Sequence, residues 1–253
     1  MAMTSSLKTY YINILNGKKY PIIFGENAFE AIDKKDTAGA TKALIVTNRT
    51  ISSACNLFIK YEIVLAMDID EFLTVDPFQK ISLKDYLSRD FKSSSLSALG
   101  LDVGQHPSIE KPIDLSKPFL SQRAFAQVSD RYTKPIITFK PLQWGSGFHR
   151  IKWKNFTIDN NLFLFHFGLV DLANAKKNIQ NKQLLSLGWK GHFDRRFQLY
   201  EIIKTQNAQE GDYFFKKARI FFATKRKWYA WNKPAPLKEN ALVRIPKRFE
   251  NLV

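Results

Sequence analysis

Val64-Leu65-Ala66-Met67-Asp68-Ile69-Asp70-Glu71-Phe72-Leu73 is the stretch whose reading decides the fold. A short apolar run reads as a buried strand, and this one delivers two carboxylates at its C-terminal end. In open α/β sheets, ligands gather outside the carboxyl ends of the strands. Asp68 and Asp70 are two positions apart, so a strand that continues regularly presents both on one side. Two acidic oxygen donors on one side suit a hard divalent cation, Mg²⁺ or Mn²⁺, and through it a phosphate. A plain acidic strand end leading into a loop has the same spelling. The apolar lead-in, with Glu71-Phe72 behind it, favours chemistry.

Working outward, Thr50 to Lys60 carries Ile51, Ala54, Cys55 and Phe58 at helical spacing and reads as a helix. Tyr20 to Phe24 reads as an early strand and Ala28 to Lys35 as a short helix. Ala43 to Thr47 is apolar and β-branched, too short to separate strand from helix. Downstream, Asp76-Pro77 breaks the chain, and Ser82 is placed to cap a helix running to Leu87, with Asp85 in its first turn. Ser95 to Leu101, Ile136 to Phe139 and Leu162 to Phe167 read as strands, the last holding His166. The polar segment from Asp102 to Pro118 is long for a simple connection and reads as a functional loop. After Asp171 the character changes. Residues 171–187 and 194–205 look helical, and Lys216 to Arg248 is basic and aromatic. The expected organisation is therefore an α/β domain over 1–170, a mixed sheet flanked by helices. A helical, basic extension over 171–253 packs on it.

The 253 residues suffice for a real core, and 45% hydrophobic with 25% charged residues fits a globular chain. The single cysteine, Cys55, excludes an internal disulfide and reads as a small core hydrophobe. The segment Met1 to Lys8 lacks the apolar region of a signal peptide. No stretch approaches the ~20 apolar residues of a membrane span. The expectation is a cytoplasmic protein. The net charge of +16 draws anions: nucleic acid, anionic lipid or phosphorylated substrates. In the tail, Phe214, Phe215, Ile220, Phe221 and Phe222 interleave with lysine and arginine. That pattern suits peripheral contact with the inner, anionic face of a membrane, or a basic helix packing its aromatics inward.

Asp68-Ile69-Asp70-Glu71-Phe72, followed by Val75-Asp76-Pro77 and Ser82-Leu83, resembles the Asp-x-Asp region of glycosyltransferase family 2-like proteins of the GT-A fold. Two later blocks are similar to that group in the same order. One is Tyr132-Thr133-Lys134-Pro135-Ile136-Ile137 with Trp144-Gly145-Ser146-Gly147-Phe148-His149. The other is Leu164-Phe165-His166-Phe167. The likeness runs from about Thr47 to Asp171. It implies a GT-A-like, Rossmann-like sheet, a nucleotide-sugar donor, and Mn²⁺ or Mg²⁺ held by Asp70 and by Asp68 directly or through water. It also implies a later histidine on the metal, His149 first and His166 second. An imidazole ligand favours manganese. Inversion at the anomeric carbon needs a carboxylate base. Glu110, Asp114 and Asp130 fit the expected order, with Glu110 first. Arg49 is expected near the donor phosphates, Glu71 beside the sugar or behind the metal, and Trp144 on a sugar or base. The implied acceptor is a glycan or lipid-linked glycan, as in surface polysaccharide or lipopolysaccharide synthesis.

Two other readings compete. Asp-x-Asp at a strand end also serves haloacid dehalogenase-type phosphatases, where the first aspartate is the nucleophile. Glu71-Phe72 departs from that pattern. The charge and the aromatic tail also fit a nucleic-acid binder, yet no recognisable nucleic-acid motif is present, so nucleic acid is not the expected partner.

Overall fold

The structure, a computed structural model, describes residues 62–68, 70–140, 142, 149–151, 156–180, 182–186, 190–227, 233–239 and 241–252. The elements expected before residue 62, together with Arg49, Cys55 and Trp144, lie outside the described residues.

The described residues form a mixed α/β structure on an eight-stranded, mostly antiparallel sheet. Its strands are β1 (Val64–Leu65), β2 (Glu71–Val75), β3 (Ser95–Gly104), β4 (Phe125–Val128), β5 (Pro135–Thr138), β6 (Ile158–Leu169), β7 (Gln209–Glu210) and β10 (Leu242–Arg244). A separate antiparallel pair joins β8 (Arg226–Lys227) to β9 (Lys233–Pro234). The helices are α1 (Leu83–Leu87), α2 (Leu172–Ile179), α3 (Lys182–Ser186), α4 (Lys190–Thr205) and α5 (Gly211–Thr224).

At the centre, β3 and β6 run parallel, with Leu101 beside Phe165 and Asp102 beside His166. Strands buried on both faces spell near-continuous apolar runs, and Ser95–Gly104 and Leu162–Phe167 do so. Alternation along β6 sorts its side chains. Phe163, Phe165 and Phe167 enter one core with Phe214, Phe215 and Phe222 of α5 and with Phe249. Leu162 and Leu164 enter another with Ile136, Ile137 and Tyr86. His166 continues the Leu162–Leu164 row past the apolar layer.

The other edge of β3 forks. β5 pairs with its start at Ser95 to Ser97, and β4 with its end at Leu101 to Gly104. Gly100 sits in the fork, where a Cβ would lie 2.2 Å from the Tyr132 carbonyl carbon and 2.4 Å from the Thr133 nitrogen. The Gly100 N–H donates to Thr133 Oγ1 at 2.9 Å. Only a residue without a side chain lets the turn before β5 come this close.

Ser82 caps α1 by accepting from the Asp85 N–H at 3.0 Å, as its sequence predicts. The chain after residue 170 contributes strands as well as helices: β10 extends the sheet beside β4, and β7 runs parallel to β10. Phe214, Phe215 and Phe222 are buried, leaving Tyr213 and Ile220 as the exposed large apolar residues of α5. Arg248 ties the C-terminus to both Asp76 and Asp212. Among the described residues, no helix is long and apolar enough to cross a membrane.

Candidate functional site

The apolar run does not continue through its aspartates as one strand. β1 ends at Leu65 and β2 begins at Glu71. Between them the chain turns, with the Glu71 N–H donating to the Asp68 carbonyl at 3.1 Å. The Glu71 side chain closes the turn by accepting from the Asp68 N–H at 2.9 Å. The expected same-side pair is therefore split. Alternation holds only while the backbone stays extended, and here Asp68 and Asp70 meet different partners.

Asp68 faces Lys134 at the start of β5. Lys134 Nζ lies 3.2 Å from Asp68 Oδ2 and 2.7 Å from Glu71 Oε1. Lys134 and Glu71 are fully buried, while Asp68 keeps about a third of its side chain accessible. Burial pulls Lys134 toward neutrality, but the charges of Glu71 and Asp68 outweigh it and hold the ammonium. The buried pair anchors the turn from below, and Asp68 is its outward carboxylate.

Asp70 faces His166. Register places Glu71 beside His166 on one side and Asp102 beside it on the other. The imidazole is held between carboxylates, with Nδ1 2.7 Å from Asp102 Oδ1 and Nε2 3.2 Å from Asp70 Oδ2. Tyr132 stacks on the ring, centroids 3.8 Å apart and planes 18° apart. Burial alone would push the imidazole down; the charges of Asp70 and Asp102 overcome it and push it up to about 10. Burial likewise acts to raise Asp70, yet His166, with help from Arg196, holds its carboxyl well below the usual carboxylate range. Arg196, on α4, donates from Nη1 to the Gly168 carbonyl at 3.2 Å, and its Nη2 lies 4.0 Å from Asp70 Oδ2.

It is thus His166, rather than His149, that reaches the aspartate turn. The His149 Nδ1 lies 3.0 Å from the Arg131 carbonyl, and its ring packs edge-on to Tyr132 at 6.4 Å. Burial, aided by the nearby Lys134 charge, pushes it down to about 3, so it is neutral. Glu110 is tied into the loop that follows β3, accepting from the His106 N–H at 2.6 Å and the Ala124 N–H at 2.7 Å. Asp114 is a loop residue that binds Ser116 and Lys117. Asp130 is half-buried in the same turn as Tyr132 and Lys134. The structure therefore gathers Asp68, Asp70 and His166 around one turn, with Asp130 on a segment that reaches it and Glu110 elsewhere.

Sequence reasoning gave no role to Asp102, Tyr132 or Arg196. Lys134 and Tyr132 stood in the quoted Tyr-Thr-Lys-Pro block, which was the available signal. Asp102, where the sequence suggests that a loop begins, lies within β3, which runs on to Gly104.

Among the described residues, no group of three or more His, Cys, Asp or Glu side chains converges as a ready-made metal cage. A Mg²⁺-type site needs less than a cage, because one or two carboxylates suffice when water and substrate phosphates fill the other positions. Asp70 fits the carboxylate part of that pattern; His166, held as the cation between Asp70 and Asp102, joins it only by giving up the Nε2 proton that now faces Asp70. The second imidazole nitrogen meets Asp102, the arrangement that fixes a metal-binding histidine. Carboxylates also outnumber cations around the turn, with Asp68, Asp70, Glu71 and Asp102 against Lys134, His166 and Arg196. Compared with protein-family models, curated proteins and solved structures, the chain finds no match.

Proposed function

We propose that this protein is a metal-dependent glycosyltransferase of the GT-A type, moving a sugar from a nucleotide-sugar to a glycan or lipid-linked acceptor. The observation that carries the reading is the Asp70–His166–Asp102 chain, which runs from the turn before β2 across the adjacent strands β6 and β3. Asp70 and His166 would hold Mn²⁺ or Mg²⁺, with Asp68 reaching it directly or through water. The bound cation supplies Lewis-acid stabilisation of the departing diphosphate.

The chain's own groups do the rest. Asp102 holds the plane of His166 and would keep the Nδ1 proton in place when the cation displaces the one on Nε2. Tyr132 covers the ring and keeps water from it. The Lys134–Glu71 pair holds the aspartate turn at the strand ends. Asp130 is the base we assign to the acceptor. It takes the hydroxyl proton as the acceptor oxygen bonds to the anomeric carbon and the bond to the diphosphate oxygen breaks. Glu110 is less suited, because both its oxygens already accept from backbone N–H groups.

Calorimetric titration with UDP, GDP and CDP, with and without Mn²⁺, tests the reading. One nucleotide should bind only with metal, and Asp70→Ala should abolish that binding. No metal-dependent binding to any of the three overturns it. The contact of Lys134 with Asp68 favours one second reading, phosphoryl transfer to Asp68, which predicts an acid-stable, base-labile phosphate adduct lost in Asp68→Asn.

A further inference from the structure

We infer that Arg196 receives the diphosphate of the nucleotide, and that Gly168 keeps the space it needs; this rests on the transferase reading above. A guanidinium carries five N–H donors in a planar fork matched to phosphate. At Arg196 the donors are largely uncommitted among the described residues. Nη1 donates to the Gly168 carbonyl at 3.2 Å. Nη2 stands 4.0 Å from Asp70 Oδ2, near enough for attraction and too far for a hydrogen bond. Nε is buried with no acceptor among the described residues. A buried donor left without an acceptor is costly and rare. One-fifth of the side chain is exposed, so an anion arriving at Asp70 meets it.

The position is built rather than incidental. A Cβ on Gly168 would lie 2.5 Å from His166 Cε1, 2.8 Å from Arg196 Nη1 and 2.9 Å from its Cζ. Glycine here lets the guanidinium lie against the imidazole edge, beside the carboxylate assigned to the metal. A metal on Asp70 and a cation 4 Å from the same carboxylate form a two-sided clamp. A diphosphate brought to Asp70 would offer its oxygens to the fork.

The test is calorimetry on the full chain, with MnCl₂ alone and then UDP, GDP, CDP and inorganic pyrophosphate in the presence of Mn²⁺. In Arg196→Met, nucleotide affinity should fall at least tenfold while Mn²⁺ alone binds as in the wild type or more tightly. Arg196→Lys should recover only part of the loss, since an ammonium lacks the fork. Gly168→Ala should weaken the nucleotide in the same direction, and pyrophosphate should follow the nucleotide. If the wild type binds a nucleotide with metal and Arg196→Met binds it equally well, the inference is wrong and the transferase reading stands. If the wild type binds no nucleotide with metal, both fall. Should Arg196→Met not fold, judged by circular dichroism, Arg196→Lys decides the matter: unchanged affinity for nucleotide and pyrophosphate overturns the inference.

Discussion

At the scale of residues, two buried ion pairs carry the site, and they differ in what their loss does. Lys134 and Glu71 are sealed from solvent. Removing one partner from a buried pair leaves the other charge without compensation, at a cost of about 3–5 kcal/mol. Lys134→Met should therefore destabilise the protein by that amount in urea unfolding. The double variant Lys134→Met/Glu71→Leu should win back a large part of it, since an apolar pair leaves no orphaned charge. If the double variant is as unstable as the sum of both single changes, the pair is not the anchor. His166 is read through pH. Its ring is favoured as the cation in the fold, pushed up to about 10 from 6.5, so its stabilisation is complete below pH 6.5 and drains away as pH rises toward 10. Asp70, held below 3.8, adds stability present above that value and lost as pH falls beneath it. The unfolding free energy of the wild type should decline between pH 7 and pH 10, and that decline should be shallower in His166→Gln. An identical slope in the two proteins contradicts the ion chain.

At the scale of elements, the fork in β3 sets the site's depth. The turn between β4 and β5 carries Asp130, Tyr132 and Lys134, and Gly100 is the residue that lets it close on the sheet. Gly100→Ala must push backbone rather than a flexible side-chain end, which places it at the upper end of the about 1–3 kcal/mol typical of overpacking. It should also shift the Tyr132–His166 stack, visible as changed His166 ring resonances in NMR. A variant with wild-type stability and an unmoved His166 would show that the close approach is not needed. Element boundaries explain what the sequence could and could not disclose. The apolar-to-acidic switch at Met67-Asp68 is local, so the aspartates were legible, as were the β3 and β6 cores and the Ser82 cap. The turn at Asp68–Glu71 was not, because it is closed by Glu71 reaching back to the Asp68 N–H, a choice that spacing does not encode. Asp102 and Lys134 meet their partners across 64 and 66 residues of chain. Strand register makes the first meeting, where one slip would turn each side chain to the other face, and the turns leading into β2 and β5 make the second.

At the scale of the molecule, the chain beyond residue 170 does two things at once. It supplies β10 to the sheet and a phenylalanine-rich face of α5 to the core. It also sends Arg196 of α4 back to the aspartate turn. The aromatic-basic pattern of the tail was legible as composition. Which way its aromatics pointed was not, because helical spacing permits either face to be the buried one. With Phe214, Phe215 and Phe222 inside the core, Tyr213 and Ile220 are the large apolar residues that α5 leaves exposed, while the chain's net charge of +16 attracts anions. The mixed sheet thus brings one cationic side chain from each half of the described chain, Lys134 and Arg196, to carboxylates of a single turn.

The most direct test of a metal on Asp70 and His166 is Mn²⁺ titrated into the protein and followed by pulsed electron paramagnetic resonance, which detects nitrogen bonded to the metal. Bound Mn²⁺ should show imidazole nitrogen coupling, the coupling lost in His166→Gln and the binding itself lost in Asp70→Asn. Bound Mn²⁺ without nitrogen coupling, coupling that survives His166→Gln, or no bound Mn²⁺ at all would contradict that metal site.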